Sequence, residues 1–463
     1  MQRKNSPKSL RVGQVKVKFT NKILTSWGGV ATLIAALFEA LDMRKSWEDF
    51  CPVREVSPNA GGVYEKFVAQ FIIVLTGGTR FQHLHGSDLG REALCAAFNV
   101  KWLPRAASTL TRFWGKFCTQ KLAEEILEYG RAVASQIVKS SDIKSDNLNL
   151  DSSVETRYGQ QEGAAKGYNP RKPGRLSHHP LLAFLGSGFV VNFWLRPGNV
   201  VSGQNAKFFF RQTLLALGKG FSVRRVLADA GFYLSEFLDF LEKEGLLYIV
   251  AAPLSHTLQR RITAVERWDQ IAPGIEACDF HFQHKDKKWT RERRYAAVRQ
   301  RVEERPQATG KQLTLFPDME EFDGWRYGLF VTNDEKLPPA DVWREYRPRA
   351  CDENVIKDLK EGFGLAAFNM HGFWATETVL AITALVFHNL IALLNRRILN
   401  PGKPQQRMKT LRARFLAVPA QLGRDGHDLV LRVAIQSRSK RAKLRSDLQR
   451  IQRLNIRLPT AMQ

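Results

Sequence analysis

The sequence is short of cysteine, of acidic residues relative to basic ones, and of long apolar runs. Its five cysteines (Cys51, Cys95, Cys118, Cys278, Cys351) are scattered, odd in number and without a C-x-x-C pair. That argues against a zinc site and a disulfide framework, and it fits a reducing compartment. The first residues are basic with no apolar core behind them, so no secretory signal peptide is expected. The most apolar run, TVLAITALVFHNLIALL (378–394), is barely long enough to span a bilayer and contains His388 and Asn389. It predicts a buried core helix over 373–395 rather than a membrane span. No internal repeat or low-complexity segment is apparent.

Acids are scarcest where cations are densest. The chain of 463 residues has 70 Lys+Arg against 45 Asp+Glu, a net charge of +25. Residues 1–25 carry seven Lys/Arg and no acid, and residues 401–463 carry fifteen against three Asp. The ends therefore hold +7 and +12, which leaves only +6 for the long middle. Basic ends around a balanced body favour a polyanion partner, most simply nucleic acid. Membrane-surface binding requires a basic segment with a sustained apolar face, which neither end shows. A 44% apolar and 25% charged composition is ordinary for a globular protein, and the length allows two to four domains.

Helical apolar spacing runs through 28–43 and 65–78. The segments 91–98 and 109–130, joined by a short link containing Pro104, fit a helix-turn-helix with Thr109, Thr111 and Arg112 facing a groove. They fit an ordinary helical bundle no worse. A polar stretch at 139–147 marks a boundary, after which short strands dominate. NLNLDSSVE (147–155) alternates, LLAFLGSGFVVNFWL (181–195) reads as a hairpin, and SVRRVLADAGF (222–232) reads as a buried strand ending at Asp229. Helices over 205–220 and 234–245 and a strand over 246–253 complete a mixed α/β sheet covered by helices. Residues 254–345 hold three further strand-like stretches, at 279–285, 293–301 and 325–333, and read as a β-rich insertion.

Three carboxylates stand out. Asp151 lies in the first strand, and Asp229 lies at the carboxyl end of a later one, where open α/β sheets place their ligands. Glu353 lies in YRPRACDENVIKDLK (346–360), where Pro348 suits the first turn of a helix. On that helix Arg349, Lys357 and Lys360 fall within about 40° of Glu353, and the apolar stripe of Val355, Leu359 and Phe363 lies well away. An acid among cations is most often a solvated helix face. Three acids can also hold two hard divalent cations, and cations beside them suit phosphates. Asp142, Asp146, Asp239 and Asp352 are poorer ligand candidates by position.

The ordered spacing Tyr346-x2-Arg349-x3-Glu353-x6-Lys360 matches the Y-R-E-K motif of DDE transposases of the insertion sequence four-like superfamily. Residues 150–184, with QEGA, GYNP, GR and HPL in order, resemble the first-aspartate region of its insertion sequence thirteen-eighty family. LADAGF (227–232) resembles that family's second-aspartate segment, and LTGGTR (75–80) and LPRAASTLTRF (103–113) are also similar. One departure is His178, where an aromatic is expected; neither His178 nor His179 need be a ligand.

The resemblance implies an α/β fold: a ribonuclease H-like catalytic core interrupted by a β-rich insertion, with a helical N-terminal DNA-binding domain and a basic helical C-terminal region. The division expected is 1–140 for the basic arm and DNA-binding domain, 147–253 and 346–400 for the two parts of the core, 254–345 for the insertion and 401–463 for a basic tail. It implies that Asp151, Asp229 and Glu353 hold two Mg²⁺ ions, with Mn²⁺ as a substitute, and that they catalyse strand cleavage, through a hairpin, and strand transfer. Tyr346, Arg349, Lys357 and Lys360 would contact DNA, as would Lys166, Lys172 and Arg175 in the Gly/Pro/Lys-rich loop 158–180. Trp289, in KDKKWTRERRY (285–295), is the candidate for stacking on a flipped base, although a tryptophan in such a segment more often packs in a core. The expected partners are the terminal inverted repeats, target DNA and a second copy of the chain in a synaptic complex, with no membrane. The expected location is a prokaryotic cytoplasm, on the nucleoid. A catalytically inactive or domesticated DNA-binding protein, and a nuclease of the same fold, are the alternatives.

Overall fold

Apolar alternation and helical spacing build one large mixed sheet with helices around it. The computed structural model describes residues 11–12, 14–16, 18–57, 60–87, 90–170, 172–301, 320–322, 324–347, 349–368 and 370–460, and it leaves out the side chains of 11, 12, 16, 85–87, 320–322 and 350–353. The N-terminal basic arm up to residue 10 and Pro348 thus lie outside the described residues. Strand β1 (Ile23–Thr25) leads into the helices α1 (Val30–Ala40), α2 (Val63–Leu75), α3 (Arg91–Ala97), α4 (Ala107–Gly115) and α5 (Gln120–Ser140). α2 is buried on every side, its Lys66 reaching Glu55 at 3.0 Å, which makes it the centre of the helical part. In α4, Leu110, Phe113 and Trp114 point inward while Thr111 and Arg112 are exposed and Thr109 is half-buried. Thr119 caps α5 by accepting from Leu122 N, an orphan donor of its first turn.

The catalytic-candidate strand β2 (Ser145–Ser152) follows. A small antiparallel sheet, β3 (Glu155–Thr156), β4 (Ala165–Lys166) and β5 (Leu176–His178), folds the 158–180 loop back in the order β3-β5-β4. Then come the expected hairpin β6 (Leu181–Leu185) and β7 (Val190–Trp194), helix α6 (Ala206–Leu217), β8 (Ser222–Ala228), α7 (Ser235–Lys243) and β9 (Tyr248–Ala251). β10 (Asp269–Ala272), β11 (Ile275–Phe282), β12 (Arg293–Arg301) and β13 (Trp325–Thr332) extend the large sheet along the path β10-β11-β12-β13-β9-β8-β2-β6-β7, and a short tenth strand, Glu320–Phe322, pairs with β13 off that path. β8 lies parallel to both β2 and β9; the other neighbours are antiparallel. Because β13 pairs with β9 (Val250↔Val331), the strands of 269–332 continue the central sheet rather than form one of their own.

Helices α8 (Pro339–Tyr346) and α9 (Arg349–Lys357) return to the sheet, and α10 (Phe373–Leu399) crosses its far side. α10 is the one described helix long and apolar enough to cross a membrane, and its most apolar 18-residue stretch is wholly buried in the fold. Its polar residues explain why it suits this place. Asn389 accepts from Val190 N (2.9 Å) and donates to Val190 O (2.7 Å), while Glu377 accepts from Leu195 N (2.8 Å), so both stitch α10 to the ends of β7. The C-terminal basic stretch is folded. β14 (Ala420–Asp425) and β15 (Asp428–Val433) form a hairpin, and β14 pairs with β1 in the register Thr25↔Ala420. Helix α11 (Arg438–Gln452) then lays Leu444, Leu448 and Ile451 on the core and leaves its cations outward.

Candidate active site

Asp151 and Asp229 are brought together by strand register. β2 and β8 pair in parallel as Leu148↔Val226, Asn149↔Leu227 and Leu150↔Ala228, so each aspartate is the next residue along, at the carboxyl edge of the sheet. Neighbouring strands lie about 4.8 Å apart, close enough for two carboxylates to share ions. Asp151 accepts from Ser152 N at 2.7 Å through one oxygen, and its other oxygen is 3.3 Å from Arg349 Nη2. Asp229 accepts from Gly231 N at 3.0 Å and so caps the short turn Ala230–Phe232. Gly231 is required here: a Cβ would come within 2.6 Å of Ser202 Cβ and 2.8 Å of its hydroxyl. Ser202 Oγ in turn bonds Ser152 Oγ at 2.7 Å, which ties the loop after β7 to the residue beside Asp151.

The Y-R-E-K helices reach this edge. Tyr346, at the end of α8, is 6% exposed and tilts its ring on Phe330 at 4.7 Å. Its hydroxyl donates to Ala228 O at 3.3 Å and accepts from Arg349 Nη1 at 3.1 Å. Tyr346 therefore touches the residue before Asp229 and steadies the arginine on Asp151. Glu353 lies one turn beyond Arg349 in α9, and its side chain is outside the described residues. Lys360 Nζ lies 3.3 Å from both Val154 O and Glu155 Oε1, and Glu155 is 2% exposed and further bonded by Ser153 Oγ. Lys357, Lys166, Lys172 and Arg175 are exposed.

Trp289 is placed as a core residue. It is buried, 4.8 Å from the Tyr233 ring and 5.1 Å from His284, with the Arg293 guanidinium 5.1 Å from its ring. The cations around it are held by α7: Arg293 bonds Asp239 (2.6 Å) and Glu242 (2.7 Å), and Arg291 bonds Glu242 (3.3 Å). Other acids are occupied at a distance from Asp151. Asp142 pairs with Arg397, and Asp146 accepts from the backbone of Asn147 and Ser187.

Two buried arginines near the site escape sequence reasoning. Arg196 donates to the carbonyls of His179 (3.0 Å) and Ser202 (2.8 Å), which clamps the loop that carries Ser202. Burial pushes its guanidinium down to about 10, and the Asp229 carboxylate opposes that shift. Arg157 donates to His178 Nδ1 (3.0 Å) and Ala366 O (2.8 Å), and burial with Arg157 beside it pushes His178 down to about 4, so its ring is a neutral hydrogen-bonding spacer. Burial likewise lowers His179, whose Nδ1 lies 2.8 Å from Val200 O. The signal for Arg196 was an arginine directly after an apolar strand, in LRPGN (195–199).

The donor set suits a hard cation, since two hydrogen-bonded aspartates on adjacent strand ends offer oxygen ligands and an arginine balances their charge. Among the described residues no three His, Cys, Asp or Glu side chains gather as a metal site. A third carboxylate from α9 would be Glu353.

A family model described as "Transposase DDE domain group 1" matches residues 8–456. No curated protein matches the sequence. Among solved structures, the "Cryo-EM structure of piggyBac transposase synaptic complex with hairpin DNA" is 12% identical and aligns over 83% of this chain and 79% of that one, with a TM-score of 0.45.

Proposed function

This chain belongs to the transposase DDE domain group 1 family, and we propose that it cuts and rejoins DNA at the ends of an insertion sequence of the thirteen-eighty family. In this reading β2, β8 and α9 belong to a ribonuclease H-like core, and Asp151, Asp229 and Glu353 are its metal ligands. Bound Mg²⁺ ions would supply an activated nucleophile and neutralise the leaving oxygen. The chain's own residues do the rest. Arg349 leaves Asp151 for a phosphate flanking the scissile bond, as a planar fork, and Lys360, aimed by Glu155, meets another as a point charge. Lys357, Lys172 and Arg175 add backbone contacts. Water oxygen bonds to phosphorus as the bond to the 3′ oxygen breaks. The freed 3′-hydroxyl then attacks a phosphorus of the opposite strand, forming the phosphodiester that closes a hairpin as that phosphorus releases the 3′ oxygen of the flanking DNA. A second water reopens the hairpin by displacing the same 3′-hydroxyl from phosphorus. That hydroxyl then attacks a target phosphodiester and displaces a target 3′ oxygen. Two copies of the chain hold the two ends, in a prokaryotic cytoplasm on the nucleoid.

The observation that carries this reading is the register of Asp151 with Asp229, with Arg349 on the first and Tyr346 on the residue before the second. The test incubates purified protein and Mg²⁺ with DNA bearing the terminal inverted repeats, then resolves nicks, hairpins and joined products. All three are expected. Specific binding without breaks means an inactive DNA-binding protein, and hydrolysis without joining means a nuclease. Glu353→Gln should bind ends and not cut them; cutting by that variant refutes the triad.

A further inference from the structure

Among the described residues four large aromatic side chains are exposed: Phe19, Tyr158, Tyr168 and Phe208. Two of the four stand in the single loop after Asp151, Tyr158 at 71% and Tyr168 at 75% exposure. The loop beneath them is built. Asn169 is buried, donates to Thr156 Oγ1 (3.0 Å) and accepts from Lys172 N (3.1 Å). Gly167 runs against Gly198 so closely that a Cβ on Gly167 would sit 1.9 Å from Gly198 O. Rings held out on such a support are not there to fill a core.

Cations interleave with the rings. Lys166, Lys172 and Arg175 are exposed, and the Lys172 ammonium touches the Tyr158 hydroxyl and lies 4.8 Å from its ring centroid. The root of the same small sheet meets the site, because Lys360 bonds Val154 O and Glu155 at β3. Exposed aromatic faces among exposed cations match an unpaired strand, whose bases offer π-faces and whose phosphates offer charge. A fully paired duplex keeps those faces stacked internally and can use only the cations.

We propose that Tyr158 and Tyr168, with Lys166, Lys172 and Arg175, form a stacking platform for unpaired bases, so that the protein prefers DNA ends whose terminal pairs are open. The inference rests on the transposase reading and adds a substrate preference to it. The full-length protein, without divalent metal, is titrated with end duplexes either fully paired or mismatched over the last few pairs. The wild type should bind the opened end about tenfold more tightly, a modest value for one stacked base. Tyr158→Ala with Tyr168→Ala should bring that ratio to about one, and Tyr158→Phe with Tyr168→Phe should keep it. Lys166→Ser, Lys172→Ser and Arg175→Ser together should weaken both duplexes alike and flatten the salt dependence. 2-Aminopurine in the opened strand should be quenched on binding the wild type. A wild-type ratio of one, or a preference that survives the double alanine change, overturns the platform. If Mg²⁺-dependent end cutting persists with a ratio of one, only the platform falls. If neither specific binding nor cutting occurs, the transposase reading falls first.

Discussion

Replacing Tyr346 with phenylalanine removes one oxygen from a buried ring, and with it the donation to Ala228 O at 3.3 Å and the acceptance from Arg349 Nη1 at 3.1 Å. The ring keeps its contact with Phe330. A neutral hydrogen bond is worth about 1 kcal/mol net and one to a charged group about 1.5–3 kcal/mol. Both bonds here are long, so a loss of about 2 kcal/mol in unfolding free energy is expected. The catalytic effect separates two roles. If Tyr346 serves by aiming Arg349, whose Nη2 lies 3.3 Å from Asp151, the variant should cut about tenfold more slowly, because a misplaced group forfeits orientation. Arg349→Ala should cost about a hundredfold, of the order lost with one charge-stabilising donor. Once Arg349 is gone, Tyr346→Phe has little left to disturb, so the double variant should be within about twofold of Arg349→Ala. That corresponds to a coupling of about 1 kcal/mol, ordinary for residues in contact. Single-turnover nicking of an end duplex in Mg²⁺, with urea unfolding run alongside, measures both effects. Rate losses that simply multiply would refute the positioning role and leave Tyr346 as an independent DNA contact.

Three further outcomes are expected. Asp151→Asn and Asp229→Asn, each preserving shape, should retain end binding within about twofold while the rise in Tm with Mg²⁺ or Mn²⁺ disappears and nicking falls below detection; nicking by either would show the ligands lie elsewhere. Glu377 in α10 is pushed up to about 7 by burial, against the Leu195 N–H that it accepts. Its folded pKa exceeds the unfolded one, so its contribution is full below about 4.5 and is lost as pH rises through about 7. Glu377→Gln escapes that loss, and its advantage in urea should be nil near pH 4.5 and grow to on the order of 3 kcal/mol above pH 7; a pH-independent difference would contradict this. Removing residues 401–463 is a poor test of DNA contact, since Ile451, Ile456 and Leu458 are buried. Arg438→Ser, Arg441→Ser and Arg445→Ser, on the exposed face of α11, should instead lower the slope of log affinity against log salt by about 0.9 for each phosphate left without its cation, and an unchanged slope would place α11 away from DNA.

What the sequence discloses is what depends on near neighbours. The hairpin β6–β7, the strand β8 with its terminal Asp229 and the helix α10 are each legible because burial imposes a period or a run on consecutive residues. The continuation of the sheet through β13 is not legible, because Val250 and Val331 pair across a long stretch of chain and no local pattern encodes that register. The basic C-terminal stretch conceals its structure for a different reason. Leu431 and Val433 are half-buried and Leu444, Leu448 and Ile451 recur at helical spacing, but the dense, exposed Arg and Lys among them dominate the composition.

The same limit governs the site. Tyr346 and Trp289 look alike in sequence, each an aromatic among cations, and both suggest a DNA contact. In the fold both are buried, yet their cations differ in what they face. Arg293 beside Trp289 is held by Asp239 and Glu242 of α7, so its charge is already balanced by acids some fifty residues earlier in the chain. Arg349 beside Tyr346 is balanced by Asp151 itself, a carboxylate that a metal ion would claim. The first cluster is complete without DNA. In the second, a metal ion on Asp151 would compete with the guanidinium, and in the proposed reading the arginine that Tyr346 also holds would then turn to a phosphate.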